Sequence, residues 1–161
     1  MEVEMKIRGL MTDPATNIPV VILKEADSET VLPIWVGVYE ANAIALEIEK
    51  VSTPRPMTHD LLKNLLVGLE TIVRKVVVTE LRDDTFFAVI WLEREGQAIS
   101  VDSRPSDALA LALRMDCPIF VEDDVLKNSK QATTGSDRVS SDELRKWLEN
   151  LGEDDLGRYK M

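Results

Sequence analysis

Two short segments of this chain place polar side chains where burial alone would not. The first, Arg55-Pro56-Met57-Thr58-His59-Asp60-Leu61, carries the only histidine. A histidine in the first turn of a helix feels the positive end of the dipole, which favours the neutral imidazole that accepts protons or binds metal. Asp60 beside it would orient the ring or ligate a divalent cation. The second, Val101-Asp102-Ser103-Arg104-Pro105-Ser106-Asp107-Ala108-Leu109, reads as a strand end turning into a helix N-terminus. Free backbone N–H groups at such a terminus attract anions, Arg104 offers a planar fork for phosphate, and Arg55 and Ser106 would add phosphate contacts. Asp102 and Asp107, joined by Glu40, supply the hard oxygen ligands that suit Mg²⁺ or Mn²⁺. Together these groups match the needs of phosphodiester hydrolysis, which are an activated water and cations against the charge building on phosphate. The competing reading is structural: Thr58 and Asp60 cap a helix, and Asp102, Arg104 and Asp107 lock a strand–helix junction.

The elements that must position these residues follow from the hydrophobic period. Val3, Met5 and Ile7 alternate with charged neighbours, and residues 18–24 and 31–36 read as two further strands, so the simplest pairing is an antiparallel meander. Pro33 marks the third strand as an edge. Ala41, Ile44, Ala45 and Ile48 form the stripe of a helix over about 40–50, with Glu40 at its start. Thr58 opens a second helix whose expected buried face is Leu61, Leu62, Leu65, Leu66 and Leu69. Strands follow over 73–81, 85–93 and 97–101, with Glu95-Gly96 as a two-residue turn. Pro105 stands at the first position of a third helix that is apolar nearly all round, hence buried on more than one side. Residues 118–122 make the last strand. The expected fold is mixed α/β (α+β): an antiparallel or mixed sheet with three main helices packed on it, in the order βββααβββαβ. Residues 1–128 form the domain, 129–139 a polar linker, and 140–161 a short C-terminal helix and tail, with Leu144, Trp147, Leu148 and Leu151 on one face of that helix.

Composition narrows the function classes. The 161 residues carry 19 Lys+Arg against 29 Asp+Glu, a net charge of -10. A generic nucleic-acid binder depends on a basic surface, so the charge stands against that class. Residues 83–128 are the most acidic stretch, and a nuclease reading needs divalent cations to screen it or Arg55, Arg104 and Arg114 to share one cleft. The single cysteine, Cys117, forms no internal disulfide, and one Cys with one His builds no usual zinc site. The N-terminal residues lack a signal-peptide pattern and no apolar run is long enough to span a membrane, which gives the expectation of a cytoplasmic protein without membrane partners. Phosphate-loop, dinucleotide and serine-hydrolase motifs do not occur. Trp35, Trp91 and the Phe86-Phe87 pair lie on strands and read as core or interface residues.

Leu32-Pro33-Ile34-Trp35-Val36-Gly37 with Glu40-Ala41, then Arg55 to Leu62, Asp102 to Ala108, and Pro118-Ile119-Phe120-Val121 resemble, in order and spacing, the bifunctional nuclease domain family. The resemblance covers about residues 1–128. It implies RNase and DNase activity, a mixed α/β fold and a homodimer. It carries His59, Asp60, Asp102, Arg104 and Asp107 over as members of matching motifs, with roles inferred from chemistry. Two functions are therefore expected in competition. One is a nuclease, aided by Mg²⁺ or Mn²⁺, acting on DNA and RNA. The other is a non-catalytic homodimeric binding or regulatory module with an anion pocket at the Arg104–Asp107 turn.

Overall fold

Alternating side chains at the N-terminus build β1 (Glu2–Thr12), β2 (Pro19–Glu25) and β3 (Val31–Trp35) into an antiparallel meander. The chain then changes period to form α1 (Val38–Ile48) and α2 (Thr58–Gly68). A second meander follows, β4 (Ile72–Arg82), β5 (Thr85–Arg94) and β6 (Gln97–Ser103). Its turns have left-handed φ at both central residues, Asp83 and Asp84 in one, Glu95 and Gly96 in the other. That geometry matches the twist of the strands and gives tight hairpins. The chain continues through α3 (Pro105–Met115), β7 (Ile119–Glu122) and α4 (Asp123–Gly135). This computed structural model describes residues 1–135, with side chains through Ser129.

The short strand β7 joins the two meanders. It pairs antiparallel with β1 and parallel with β4, giving one seven-stranded sheet in the order β3-β2-β1-β7-β4-β5-β6. The mixed α+β class and the element order expected from the sequence are those observed, and Pro33 does lie on an edge strand. On one face of the sheet Met5, Leu23, Val76, Val78, Ala88, Ile119 and Val121 meet Ala41 and Ile44 of α1, Ala108, Leu109 and Ala112 of α3, and Val125 and Leu126 of α4. Alanines along α3 let it approach both the sheet and α1 closely, and it is buried on nearly every side.

Three local expectations are corrected. Leu61, Leu62, Leu65 and Leu69 of α2 are exposed, and the helix buries only His59. It docks on α3 through its polar edge instead. Met57, not Thr58, is the N-cap, and the Asp60 carboxylate supplies the cap by accepting the Met57 N–H at 2.9 Å. Finally, α4 is helical to Gly135, through residues read as polar linker. The expected helix over 142–151 lies outside the described residues. Among the described residues no helix is long and apolar enough to cross a membrane.

Candidate active site

The N-termini of α1, α2 and α3 converge. Proline at the first position of α3 holds Arg104 extended, at φ -69 and ψ 143, so its side chain leaves the helix while Asp107 stays in the first turn. Arg104 Nε donates to Asp107 Oδ2 at 2.9 Å, and its Nη2 donates to Glu40 Oε1 at 2.8 Å. Glu40 lies in the first turn of α1, folded back over its N-cap, Gly37. A Cβ at Gly37 would lie 2.3 Å from Glu40 Oε2, so a residue without a side chain is what leaves room for that carboxylate. From α2, His59 Nε2 meets Asp107 Oδ1 at 2.8 Å. One carboxylate thus serves an imidazole and a guanidinium, and a chain of contacts runs His59–Asp107–Arg104–Glu40. Segments 48 residues apart meet in one hydrogen bond.

The electrostatics separate the members. His59 is 8% exposed, while the Arg104 side chain is 66% exposed. Asp107, and then Glu40, hold the Arg104 guanidinium firmly in its charged form. Both carboxylates occupy first turns, where helix dipoles favour negative charge.

Asp60 does not orient His59. Its Oδ1 accepts Arg114 Nε at 2.7 Å, and its charge is held below the usual carboxylate range by that bond and by the Met57 N–H. Arg114 also donates to the carbonyls of Ala110 and Ala43, each at 2.9 Å, and its side chain is 3% exposed. It ties α1, α2 and α3 together and faces no cleft. Sequence reasoning offered it as a cleft cation; the better signal was a lone charge in the apolar run ALALALRM, which a buried helix tolerates only when the charge is paired.

The remaining candidates part company with the cluster. Asp102 pairs in register with Val89, between Val101↔Ile90 and Ser103↔Ala88. Because side chains alternate along a strand, it projects from the face opposite α3 and is exposed. It does not join Asp107 and Glu40. Ser106 is buried, so it presents no hydroxyl to a solvent phosphate. Arg55 is exposed in the loop before α2, where its carbonyl accepts Thr53 Oγ1. Among the described residues no group of three or more His, Cys, Asp or Glu side chains is placed to hold a metal ion. Glu40 and Asp107 instead each accept a hydrogen bond from the Arg104 guanidinium. The donor set therefore does not fit a resident Mg²⁺ or Mn²⁺ centre. Cys117 is also no nucleophile, since burial pushes its thiol up to about 11.

Comparison with known proteins bears on what this cluster is for. The chain is 36% identical to an uncharacterized protein of Mycobacterium tuberculosis over 95% of its own length and 97% of that protein. It is 28% identical to Bifunctional nuclease 1 of Oryza sativa subsp. indica over 84% of its length, spanning 43% of that protein. With Bifunctional nuclease 1 of Arabidopsis thaliana the identity is 30%, over 70% of the chain and 36% of that protein. The sequence model of the bifunctional nuclease domain matches residues 21–134, a range that holds Glu40, His59, Arg104 and Asp107. The chain belongs to the bifunctional nuclease domain family.

Proposed function

We propose that this protein hydrolyses phosphodiester bonds of DNA and RNA at the cluster of His59, Asp107, Arg104 and Glu40. The observation that carries the reading is the shared Asp107 carboxylate, with a buried imidazole on one oxygen and an exposed guanidinium on the other. With Asp107 accepting from Nε2, the neutral ring keeps its lone pair on Nδ1, which takes the proton of the attacking water. Asp107 holds the ring and stabilises the imidazolium that forms. The P–O bond opposite the attacking water breaks, and the departing sugar oxygen takes a proton from solvent. The imidazolium then releases its own proton to solvent. Arg104 swings from Glu40 to a non-bridging phosphate oxygen and offsets the charge that grows there. Glu40 returns Arg104 to its resting position afterwards. Mg²⁺ or Mn²⁺ enters this proposal as a counterion brought with the nucleic acid, which screens the acidic protein surface.

The test is cleavage of single-stranded RNA and of DNA by the full chain, with Mg²⁺, with Mn²⁺ and with chelator. His59→Ala and Arg104→Ala proteins are compared at equal fold content. Each is expected to lose about 100-fold or more in rate. Equal cleavage by wild type and both variants overturns the assignment. One observation favours the second reading, a non-catalytic binding module: Arg104 is already held by two carboxylates. That reading predicts no cleavage in any lane, together with inorganic phosphate binding that depends on Arg104.

A further inference from the structure

We propose that Tyr39 is the stacking platform for the nucleobase beside the phosphate that Arg104 receives, with Met57 forming the facing wall, so that the site takes an unpaired nucleotide. The proposal rests on the reading of the His59–Asp107–Arg104–Glu40 cluster as a phosphate site and names what that site holds beyond the phosphate.

Tyr39 stands in the first turn of α1, directly before Glu40, and is 89% exposed. Neighbouring Cα atoms lie ~3.8 Å apart, and Glu40 Oε1 accepts Arg104 Nη2 at 2.8 Å. The phenol ring therefore springs from the residue next to the one that holds the guanidinium. Its direction follows from Ala43, one turn later on the same face of α1. Ala43 is buried, and its carbonyl accepts Arg114 Nη2 at 2.9 Å. The same guanidinium donates through Nε to Asp60 Oδ1 of α2 at 2.7 Å. The Ala43 side of α1 thus faces the start of α2, and Tyr39 continues that side one turn beyond the contact. Helical side chains lean toward the N-terminus, so the ring projects over the end of α1, where the three helix starts converge.

Met57 occupies the matching place on α2. Its N–H is held by the other oxygen of Asp60, and it is 45% exposed, two residues before His59. An aromatic face and a thioether therefore flank the opening in which the Arg104 side chain lies exposed. Among the described residues Trp35 and Tyr39 are the two exposed aromatic side chains, and they differ in what holds them. Trp35 donates its indole N–H to Asp13 at 2.9 Å, which ties its ring to the turn after β1. The Tyr39 ring has no such tether and leaves its faces open. A free ring beside an exposed guanidinium is the pairing that a nucleotide requires, since any base stacks on an aromatic face and the phosphate takes the cation. Bases inside a duplex are already stacked on both sides, so only an unpaired base can enter. Stacking reads neither sequence nor sugar, which suits a site that accepts DNA and RNA alike.

The experiment is calorimetric titration of the full chain with adenosine monophosphate and with ribose phosphate, which share the phosphorylated sugar and differ in the base. Wild type, Tyr39→Ala, Tyr39→Phe and Arg104→Ala are compared, with circular dichroism to confirm folding. Wild type is expected to bind the nucleotide about 10-fold or more tightly than the sugar phosphate. Tyr39→Ala should erase that difference by weakening the nucleotide alone, Tyr39→Phe should keep it, and Arg104→Ala should weaken both ligands. Equal binding of the two ligands by wild type overturns the base platform and leaves the phosphate site standing. A preference for the nucleotide that survives in Tyr39→Ala also overturns it, since the base then rests elsewhere. Binding of neither ligand overturns the phosphate reading itself, and the base platform falls with it.

Discussion

At the scale of single residues, two acid–arginine pairs within three helical turns do different work. Asp60–Arg114 is internal and binds the helices to each other, whereas Asp107–Arg104 opens to solvent. Replacing Asp60 by Asn removes the charge that balances the buried Arg114 guanidinium and leaves one acceptor in place of two, for Arg114 Nε or for the Met57 N–H. We expect a loss of about 2–3 kcal/mol in urea unfolding, below the cost for a fully buried pair because Asp60 is partly exposed. The pH dependence follows. Asp60 is depressed in the folded state by Arg114, so its contribution is present above the ordinary carboxyl range and is lost as pH falls through the depressed value. The Asp60→Asn protein should lack that part of the acid-side decline in stability. By contrast Glu40→Gln keeps the shape of the cluster while weakening the grip on Arg104. It should tighten inorganic phosphate binding severalfold with little change in melting temperature; weaker binding would show that Glu40 helps to build the anion seat. Cys117, half-buried and with its thiol near 11, should react with a disulfide reagent at pH 7 at least about 100-fold more slowly than a free thiol of ordinary pKa, as the lost thiolate requires.

Elements set where those residues stand. Helix N-termini were legible from Pro105, Asp107 and Asp60, since a fixed φ and first-turn acids act locally. The hairpins were legible for the same reason, because Glu95-Gly96 and Asp83-Asp84 adopt the left-handed turn without help from distant packing. Gly96 has φ +77 with open space around it, so Gly96→Ala should cost about 1 kcal/mol from backbone strain alone. Gly37→Ala is the opposite case. Its φ of -70 suits any residue, but the new Cβ displaces the Glu40 carboxylate. Stability should change by less than about 1 kcal/mol, while the Arg104–Glu40 contact is lost and phosphate binding follows the Glu40→Gln variant. The α2 leucines show where local reading stopped. Their spacing correctly marks an apolar face, but spacing carries no information about which surface covers it.

For the whole molecule, the sheet decides which candidates can meet. Strand alternation alone would put Asp102 and Arg104, two residues apart, on one face; β6 ends at Ser103 and the turn into α3 separates them, so they serve different surfaces. The acidic charge of -10 also acts at this scale. If nucleic acid is the substrate, replacing chelator by Mg²⁺ should lower the apparent KM more than it raises kcat, since the ion screens repulsion and no ligand cage holds it at the cluster. A kcat that depends on Mg²⁺ with unchanged KM would point to a metal in the reaction itself.

By itself the sequence determined the element order through β7, the mixed α+β class, the hairpin turns, the start of α3 and the family motifs, because periodicity, proline and glycine act over a few residues. Only the tertiary structure decided that His59 pairs with Asp107 and not with its neighbour Asp60, that Asp60 turns to Arg114, that Asp102 leaves the site, and that the α2 leucines face outward. Each of those outcomes depends on the angle at which one element meets another, and that angle is set by packing across the whole core.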